Sequence, residues 1–168
     1  MDEAAAFDDA FRRRAPAFRL RAEENTDREF LMSLACACSP LAVTLPRILL
    51  EQQARMQLDA HRFAHPEAMY RIVEDDEGPR GRIIVDWKAG GGSHGVDVAV
   101  MPGKREGAPG LQMLRSWIEI ADRFGLSSRL EVLHDNTAFR IYERLGFAVV
   151  GDHSSPMLVM IRPPKSLG

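Results

Sequence analysis

The stretch from residue 135 to residue 147 reads DNTAFRIYERLGF, and it lies between two segments with the pattern of strands. Its spacing predicts a short helix over Thr137–Leu145, and Gly146 is the residue type that commonly ends a helix. Strands are expected on either side, at Arg129–His134 and at Phe147–Gly151. The pattern therefore places Tyr142 on a short helix between two strands.

A second informative stretch comes earlier, where residues 98–114 read VAVMPGKREGAPGLQML. The pattern predicts the end of a strand, a loop over Pro102–Pro109 and a helix over Gly110–Phe124. Small residues let the backbone approach a ligand, and free N–H groups at a helix start favour an anion such as pyrophosphate. Arg105 adds a charged donor nearby. The alternative is a glycine-rich surface loop that only turns the chain.

The rest of the chain supplies the other elements of one α/β domain. Two further helices are predicted, from Asn25–Asp27 to about Ala37 and from about Leu45 to Phe63. The remaining predicted strands are Phe18–Arg21, Met69–Glu74, Arg82–Trp87, His94–Met101 and Pro156–Arg162. The expected order is β-α-α-β-β-β-α-β-α-β-β on a mixed sheet. We expect a loose or helical lead-in at residues 1–17, the domain at residues 18–162 and a disordered tail at residues 163–168.

The composition is that of an ordinary globular chain of 168 residues, with a net charge of −2 that gives no reason to expect nucleic acid as the main partner. No apolar run approaches the roughly 20 residues of a membrane-spanning helix, and the acidic residues 1–3 do not open a secretory signal. A cytoplasmic protein without membrane association is expected. Cys36 and Cys38 are expected to be buried free thiols at a helix end. No metal is expected, and His61 and His65 are interpreted as solvated, because they lack a third ligand.

Residues 135–147 resemble the segment N-x-x-A-x-x-x-Y-x-x-x-G-F of the GNAT-type N-acetyltransferase superfamily. The residues in register are Ala138, Tyr142, Gly146 and Phe147. Asp135 occupies the usual asparagine position and Asn136 follows it, so either can provide the polar contact. In that superfamily the segment contacts the pantetheine arm of CoA, and its tyrosine protonates the leaving thiolate. The resemblance therefore implies that Tyr142 is a catalytic acid; the alternative is a packed aromatic residue with its hydroxyl at the surface.

Residues 100–110 resemble the acyl-CoA signature of the same superfamily, V-x-P-x-x-[Q/R]-x-x-G-x-[G/A]. The residues in register are Val100, Pro102, Arg105 and Gly110. Three positions depart from the signature. Ala108 replaces its middle glycine, Pro109 removes one N–H although it suits a first helical position, and Glu106 adds an acid beside the anion site.

The resemblance implies a single-domain acyl-CoA N-acyltransferase fold, with a mixed and mostly antiparallel sheet flanked by helices, and acetyl-CoA as the cofactor. The implied cofactor-binding residues are Val98, Ala99, Val100, Arg105, Glu106, Gly107, Ala108, Gly110, Leu111, Asp135, Asn136, Phe139 and Tyr142. It also implies that a backbone N–H of the strand 98–100 stabilises the oxyanion, at a place where two central strands separate.

Transfer to an amine requires that a base or a water relay removes a proton. The candidate bases are Asp97, then Glu131 on the next strand, then His134 at its end. Asp97 is equally consistent with a solvent-facing acid, and a water chain is an alternative to all three.

We therefore expect an enzyme that transfers acetyl from acetyl-CoA to a primary amine of a small molecule or peptide in a ternary complex. The acceptor pocket is expected between the first two helices, the Gly90–Ser93 loop and the last two strands. Four acids, Glu51, Asp59, Asp86 and Asp97, would favour a cationic amine there. The alternatives are a binding or regulatory module that has lost catalysis and a scaffold that binds through its Leu45–Phe63 helix. Pairing of two copies through sheet edges is compatible with a domain of this size.

Overall fold

A computed structural model describes residues 2–165. Within this range the chain forms five α-helices, seven strands and one 3-10 turn at Asn25–Asp27. The helices are α1 (Glu3–Arg14), α2 (Arg28–Cys38), α3 (Arg47–Ala64), α4 (Pro109–Arg123) and α5 (Phe139–Arg144). The strands are β1 (Arg19–Ala22), β2 (Met69–Asp75), β3 (Gly78–Asp86), β4 (Gly92–Val100), β5 (Ser127–Leu133), β6 (Ala148–Val150) and β7 (Met157–Arg162).

The seven strands form one sheet in the order β1-β2-β3-β4-β5-β7-β6. Every neighbouring pair is antiparallel except β4 and β5, which run parallel at the centre. A parallel pair needs a crossover connection, and α4 provides it. The predicted mixed, mostly antiparallel sheet flanked by helices is confirmed.

Helix α4 lies directly on the central strand β4. Trp117 is fully buried, and its indole N–H donates to the Ser93 hydroxyl at 2.9 Å. A side chain at Gly95 would meet the Trp117 ring at 2.5 Å, so this strand position requires glycine. The packing fixes the start of α4 just beyond the end of β4.

Helix α1 belongs to the hydrophobic core. Phe7 and Phe11 are fully buried in the same cluster as Trp117, and Phe7 lies 6.4 Å from the Trp87 ring. The segment interpreted as a lead-in is therefore an integral helix, although the domain start at residue 18 stays a prediction. Residues 166–168 of the expected tail lie outside the described residues.

Helices α2 and α3 cover the opposite face of the sheet, where Leu31, Leu58 and Ile72 form a second cluster. Helix α3 agrees with its prediction to within two residues. Its buried side chains are Leu50, Ala54 and Leu58. Other apolar side chains at helical spacing, such as Ile48 and Met56, lie on the exposed side. In residues 2–165, no helix has the length and apolar character needed to cross a membrane.

Candidate active site

Strands β4 and β5 separate halfway along β4. Gly92–Gly95 pair with Ser127–Leu130, and the pairing of the two strands ends there. On the other edge of β4, Val96 is an extra residue in the register with β3. Such a bulge bends a strand. The result is a gap between Val96–Val100 and the end of β5.

Backbone groups of β4 line this gap. The Met101 N–H donates to the Arg80 carbonyl at 2.8 Å, toward β3. Because backbone groups alternate in direction along a strand, Val98 and Val100 direct theirs to the opposite edge. The Cys38 thiol donates to the Val100 carbonyl at 3.4 Å, which agrees with that direction. The Val98 N–H therefore faces the gap, as a donor to an oxyanion must.

The start of α4 lies at the open end of the gap. Pro109 takes the first helical position, and helix geometry leaves the N–H groups of Gly110 and Leu111 without intrahelical acceptors. A side chain at Gly110 would lie 3.2 Å from Val100, so the helix start closely approaches the end of the strand. Two donors and the positive end of the helix dipole thus remain for an anion, although Pro109 lacks an N–H.

Ala108 keeps the conformation expected for the glycine that it replaces. It has φ 49° and ψ 49°, and it is the one non-glycine residue among residues 2–165 with positive φ. The loop before it also turns through Gly103 and Gly107, which have φ 79° and 75°. A side chain at Gly107 would meet Phe18 at 2.8 Å. The sequence departure at Ala108 therefore leaves the backbone course of the loop intact.

The loop exposes one cation that has no carboxylate partner within residues 2–165, Arg105. Its neighbour Lys104 pairs with Glu77 at 3.2 Å. Glu106 is also exposed. Arg105 is thus free to reach an anion at the start of α4, and Glu106 can turn toward solvent.

Tyr142 lies on α5 and packs edge-to-face on Phe147, with ring centroids 6.1 Å apart. Burial raises the pKa of its phenol, and the negative charge of Asp97 raises it further. Tyr142 packs against the same core cluster as Val98 and Val100 of β4. Its hydroxyl forms no hydrogen bond to a described residue. A phenol held neutral and unpaired in this way can donate a proton.

The residues before Tyr142 have distinct roles. The Asn136 side-chain oxygen accepts a hydrogen bond from the Ala138 N–H at 2.8 Å. Helix α5 begins after this turn, at Phe139 and not at the predicted Thr137. Phe139 packs against the main core. Asp135 is exposed, and its carboxylate has no hydrogen bond within residues 2–165. Of the two polar candidates, Asn136 is therefore engaged locally and Asp135 is free.

Asp97, the first candidate base, is the counter-ion of a buried arginine. Arg82 donates to one Asp97 oxygen through Nη2 at 2.7 Å and through Nε at 3.2 Å, and its side chain is 4% exposed. Its Nη1 lies 3.8 Å from the buried Glu23 carboxylate. Protonation of Asp97 would weaken the compensation of a buried charge. The pairing favours a structural role for Asp97.

The other two candidate bases are near solvent at the end of β5. Glu131 pairs with Arg129 at 2.7 Å, and both side chains are more than 40% exposed. His134 is exposed, and its backbone N–H donates to Pro156. Neither residue is held in the gap by a described contact.

A histidine cluster lies where β4 begins to bend. The rings of His65 and His94 meet edge-to-face with centroids 5.2 Å apart, and His65 Nδ1 lies 2.8 Å from Asp86 Oδ2. Burial lowers the pKa of His94, and the charge of Arg129 adds to the effect. Burial also lowers the pKa of His61, whose Nδ1 is buried without a partner in the described chain.

The interpretation of His61 and His65 as solvated is therefore wrong, because His61 Nδ1 is buried and His65 packs against Asp86 and His94. Sequence reasoning also missed His94 as a candidate base. It precedes the bulge and lies on the face that carries Asp97, since Gly95 faces the opposite helix. Only the long-range packing of α3 brings these histidines together, so no spacing in the sequence indicates the cluster.

The acids expected to make an acceptor pocket negative do not form one group. Each pairs with a different basic side chain: Glu51 with Arg47, Asp59 with Arg28, Asp86 with His65 and Asp97 with Arg82. The prediction of an acidic pocket is therefore wrong. Of the expected Gly90–Ser93 loop, Gly92 and Ser93 belong to the paired half of β4, away from the gap.

An open cleft of about 600 Å³ lies on the same face of the sheet as Asp97 and the histidines. Its lining residues are Glu23, Glu24, Asn25, Arg28, Leu31, Leu58, Arg62, Tyr70 and Arg82. The Arg62 guanidinium stacks on the Tyr70 ring at 3.7 Å and binds Glu23 at 2.6 Å. The cleft thus offers three arginines, two glutamates and an aromatic wall.

Solved structures with the same architecture include several N-acetyltransferases. The PaiA N-acetyltransferase of Thermoplasma acidophilum, solved in complex with coenzyme A, matches with a TM-score of 0.68 and 18% identity, over 87% of this chain and 98% of that one. An acetyltransferase of the GNAT family from Staphylococcus aureus Mu50 matches with a TM-score of 0.66 and 14% identity, over 89% and 100%. The chain has the GNAT fold.

A third GNAT-fold match is the ribosomal-protein-S18-alanine N-acetyltransferase of Escherichia coli, with a TM-score of 0.63 and 16% identity, over 90% of this chain and 96% of that one. No protein-family model matches the sequence, and no significant match was found among curated proteins. The GNAT assignment made from two short motifs is confirmed at the level of fold.

Proposed function

We propose that this GNAT-fold protein transfers an acetyl group from acetyl-CoA to a primary amine. The observation that carries the proposal is the gap between β4 and β5. One side of it presents the Val98 N–H, its open end presents the start of α4, and Tyr142 packs against the same core cluster as Val98. These are the donors that a pyrophosphate, an oxyanion and a leaving thiolate need.

The residues present fit CoA. The N–H groups of Gly110 and Leu111, with Arg105, would hold the pyrophosphate, and the gap would admit the pantetheine arm. When bound, acetyl-CoA supplies a thioester whose carbonyl is open to an amine. The Val98 N–H donates to the carbonyl oxygen, and the Tyr142 hydroxyl donates its proton to sulfur.

The amine needs a proton acceptor, and His94 is the group that the packing favours. Its lowered pKa keeps the ring neutral near pH 7, and it lies on the face that carries the open cleft. The His94 ring packs edge-to-face on His65, which is bound to Asp86, and this contact would hold the His94 ring in place. Asp97 then serves to hold Arg82.

The first test is a thermal shift of the full chain with CoA and with acetyl-CoA. Ligand at about 100 times its Kd should stabilise the protein by about 2.7 kcal/mol. Arg105→Ala should reduce the shift, whereas Arg12→Ala on α1 should not. Absence of any shift at millimolar CoA would refute the proposal.

The second test is release of free CoA thiol from acetyl-CoA with a panel of amines. Binding of CoA without turnover on amino acids, peptides, polyamines or aminoglycosides would favour the alternative of a binding module. Turnover with any of them identifies the class of acceptor.

Tyr142→Phe tests the acid directly. Removal of the hydroxyl should lower kcat about 100-fold or more, because general acid catalysis contributes that much, and the CoA thermal shift should be retained. The ring that packs on Phe147 is kept, so the fold is not disturbed. An unchanged kcat would remove the proposed acid role of Tyr142.

A further inference from the structure

Helix α3 presents a stripe of apolar side chains to solvent. Ile48 is 67% exposed, Leu49 45%, Met56 72% and Phe63 91%. At 100° per residue these four side chains fall within one third of the helix circumference, opposite the face that packs on the sheet. We call them the α3 stripe. Exposed Gln52 lies among them, between Leu49 and Met56. Exposed apolar side chains grouped on one face in this way mark an interaction site.

One flank of the α3 stripe carries a row of charges of alternating sign. The row is Glu51, Arg55, Asp59 and Arg62, spaced by four, four and three residues. The other flank carries the uncharged side chains Gln53 and Gln57. Arg55 has no carboxylate within 4 Å among residues 2–165, whereas the other three are paired within their own chain.

We propose that the α3 stripe is the interface between two copies of this chain, with the two α3 helices antiparallel about a two-fold axis near Met56. In an antiparallel pair, each flank meets the same flank of the second copy in reverse order. The row then places Glu51 opposite Arg62 of the second copy, and Arg55 opposite Asp59. A parallel pair would instead place this row opposite the uncharged flank of the second copy.

The apolar side chains follow the same symmetry. Met56 lies next to its own copy at the centre, and Phe63 meets Leu49 of the second copy toward each end. The helix has 18 residues and is about 27 Å long. Phe63 alone brings roughly 150–250 Å² of surface. With Val43 exposed in the preceding loop, the stripe approaches the roughly 800 Å² per partner of a stable interface.

Because the row of charges is complementary to itself in reverse order, it favours a second copy of this chain over a different partner. A lipid surface requires no charge alternation, and an unrelated protein requires no symmetry about Met56. The interface uses no residue of the gap between β4 and β5, so its test does not need CoA.

The first experiment places a cysteine on the proposed axis. In a background with Cys36→Ser and Cys38→Ser, Met56→Cys should cross-link to its own copy with a short thiol-reactive reagent. Arg47→Cys is the matched control, because antiparallel helices hold this position roughly 28 Å from its copy. Equal cross-linking of both variants, or of neither, overturns the antiparallel arrangement.

The second experiment reverses charges and measures mass in solution by light scattering over a range of concentrations. The wild type should be a dimer at micromolar concentration. Arg55→Glu should raise the dissociation constant about tenfold or more, and Arg55→Glu with Asp59→Arg should restore dimerisation. Arg12→Glu on α1 should have no effect. A monomeric wild type, an open-ended assembly, or failure of the double variant to restore the dimer overturns the proposal.

Discussion

Ala108 has a left-handed backbone conformation that costs an L-residue roughly 1–2 kcal/mol, and glycine avoids this cost. Glycine also makes the unfolded chain more flexible, which offsets roughly 0.5–1 kcal/mol of the gain. The residue matters because the two free N–H groups of α4 follow directly after it. The strain is thus stored next to the proposed phosphate site.

Ala108→Gly is expected to raise the free energy of unfolding by up to about 1 kcal/mol, because the strain is larger than the entropic cost. Denaturant titration measures the change. Ala60→Gly, at an exposed position inside α3, is the matched control and should lower stability by about 1 kcal/mol. If both substitutions changed the free energy of unfolding in the same direction, the left-handed conformation of Ala108 would be contradicted.

His94 determines the expected response of activity to pH. Because burial lowers the pKa of His94 below its usual 6.5, the ring is neutral at pH 7 and gains a proton only as the pH falls below 6.5. The rate should therefore be lost on the acidic side. The raised pKa of Tyr142 keeps the phenol protonated up to pH 10, so no alkaline loss is expected below that pH.

The corresponding measurement is kcat/KM for the amine between pH 5 and pH 9. His94→Gln should lower the rate and remove the acidic limb, whereas His134→Gln should leave both unchanged. An acidic limb that persists in His94→Gln would assign the base to another group or to water.

Among the elements, α1 is the one that the sequence left outside the predicted domain. Phe7 is fully buried, and Phe→Ala changes in a core cost about 3–5 kcal/mol. Phe7→Ala should therefore destabilise the whole protein in one cooperative transition. Phe63→Ala, at a 91% exposed site and measured at low protein concentration, should change stability by less than about 0.5 kcal/mol. A small effect of Phe7→Ala would support a dispensable lead-in.

Element order was predictable because most elements carry their own period and end signals. The loop at Ala108 and the helix that ends at Gly146 are local in sequence, so their motifs predicted the fold. The burial of α1 was not predicted, because its acidic and arginine residues give the segment a polar composition although Phe7 and Phe11 belong to the core. The burial of α3 was not predictable, since Leu50 on one face and Met56 on the other have equally good helical spacing.

The residues of the candidate site also fall into two groups, those set by local motifs and those set by long-range packing. Val98 and Tyr142 belong to local motifs, so their positions on a strand and on a short helix were predictable. The pairing of Asp97 with Arg82, and of His65 with Asp86, joins residues 15 and 21 positions apart. Such contacts depend on strand register and on the position of α3 over the sheet. The cationic partners of Asp97 and Asp86 were therefore not predictable from the sequence.

At the scale of the molecule, the sheet consists of two parts joined by a short contact. Strands β1 to β4 form one part and β5 to β7 the other, and only Gly92–Gly95 pair with Ser127–Leu130 between them. Helix α4 also connects the parts through the buried Trp117. The gap is thus a property of the whole sheet rather than of one loop.

The unpaired edge of β4 should have a distinctive pattern in amide hydrogen exchange. The N–H groups of Asp97 and Ala99 are bonded to β3, so their deuteration requires the strands to open. Those of Val98 and Val100 face the gap and should exchange much faster in the free protein, giving a fast and slow alternation along one strand. Bound CoA should slow Val98 most, which makes this single amide a reporter of ligand entry even before any acceptor amine is known.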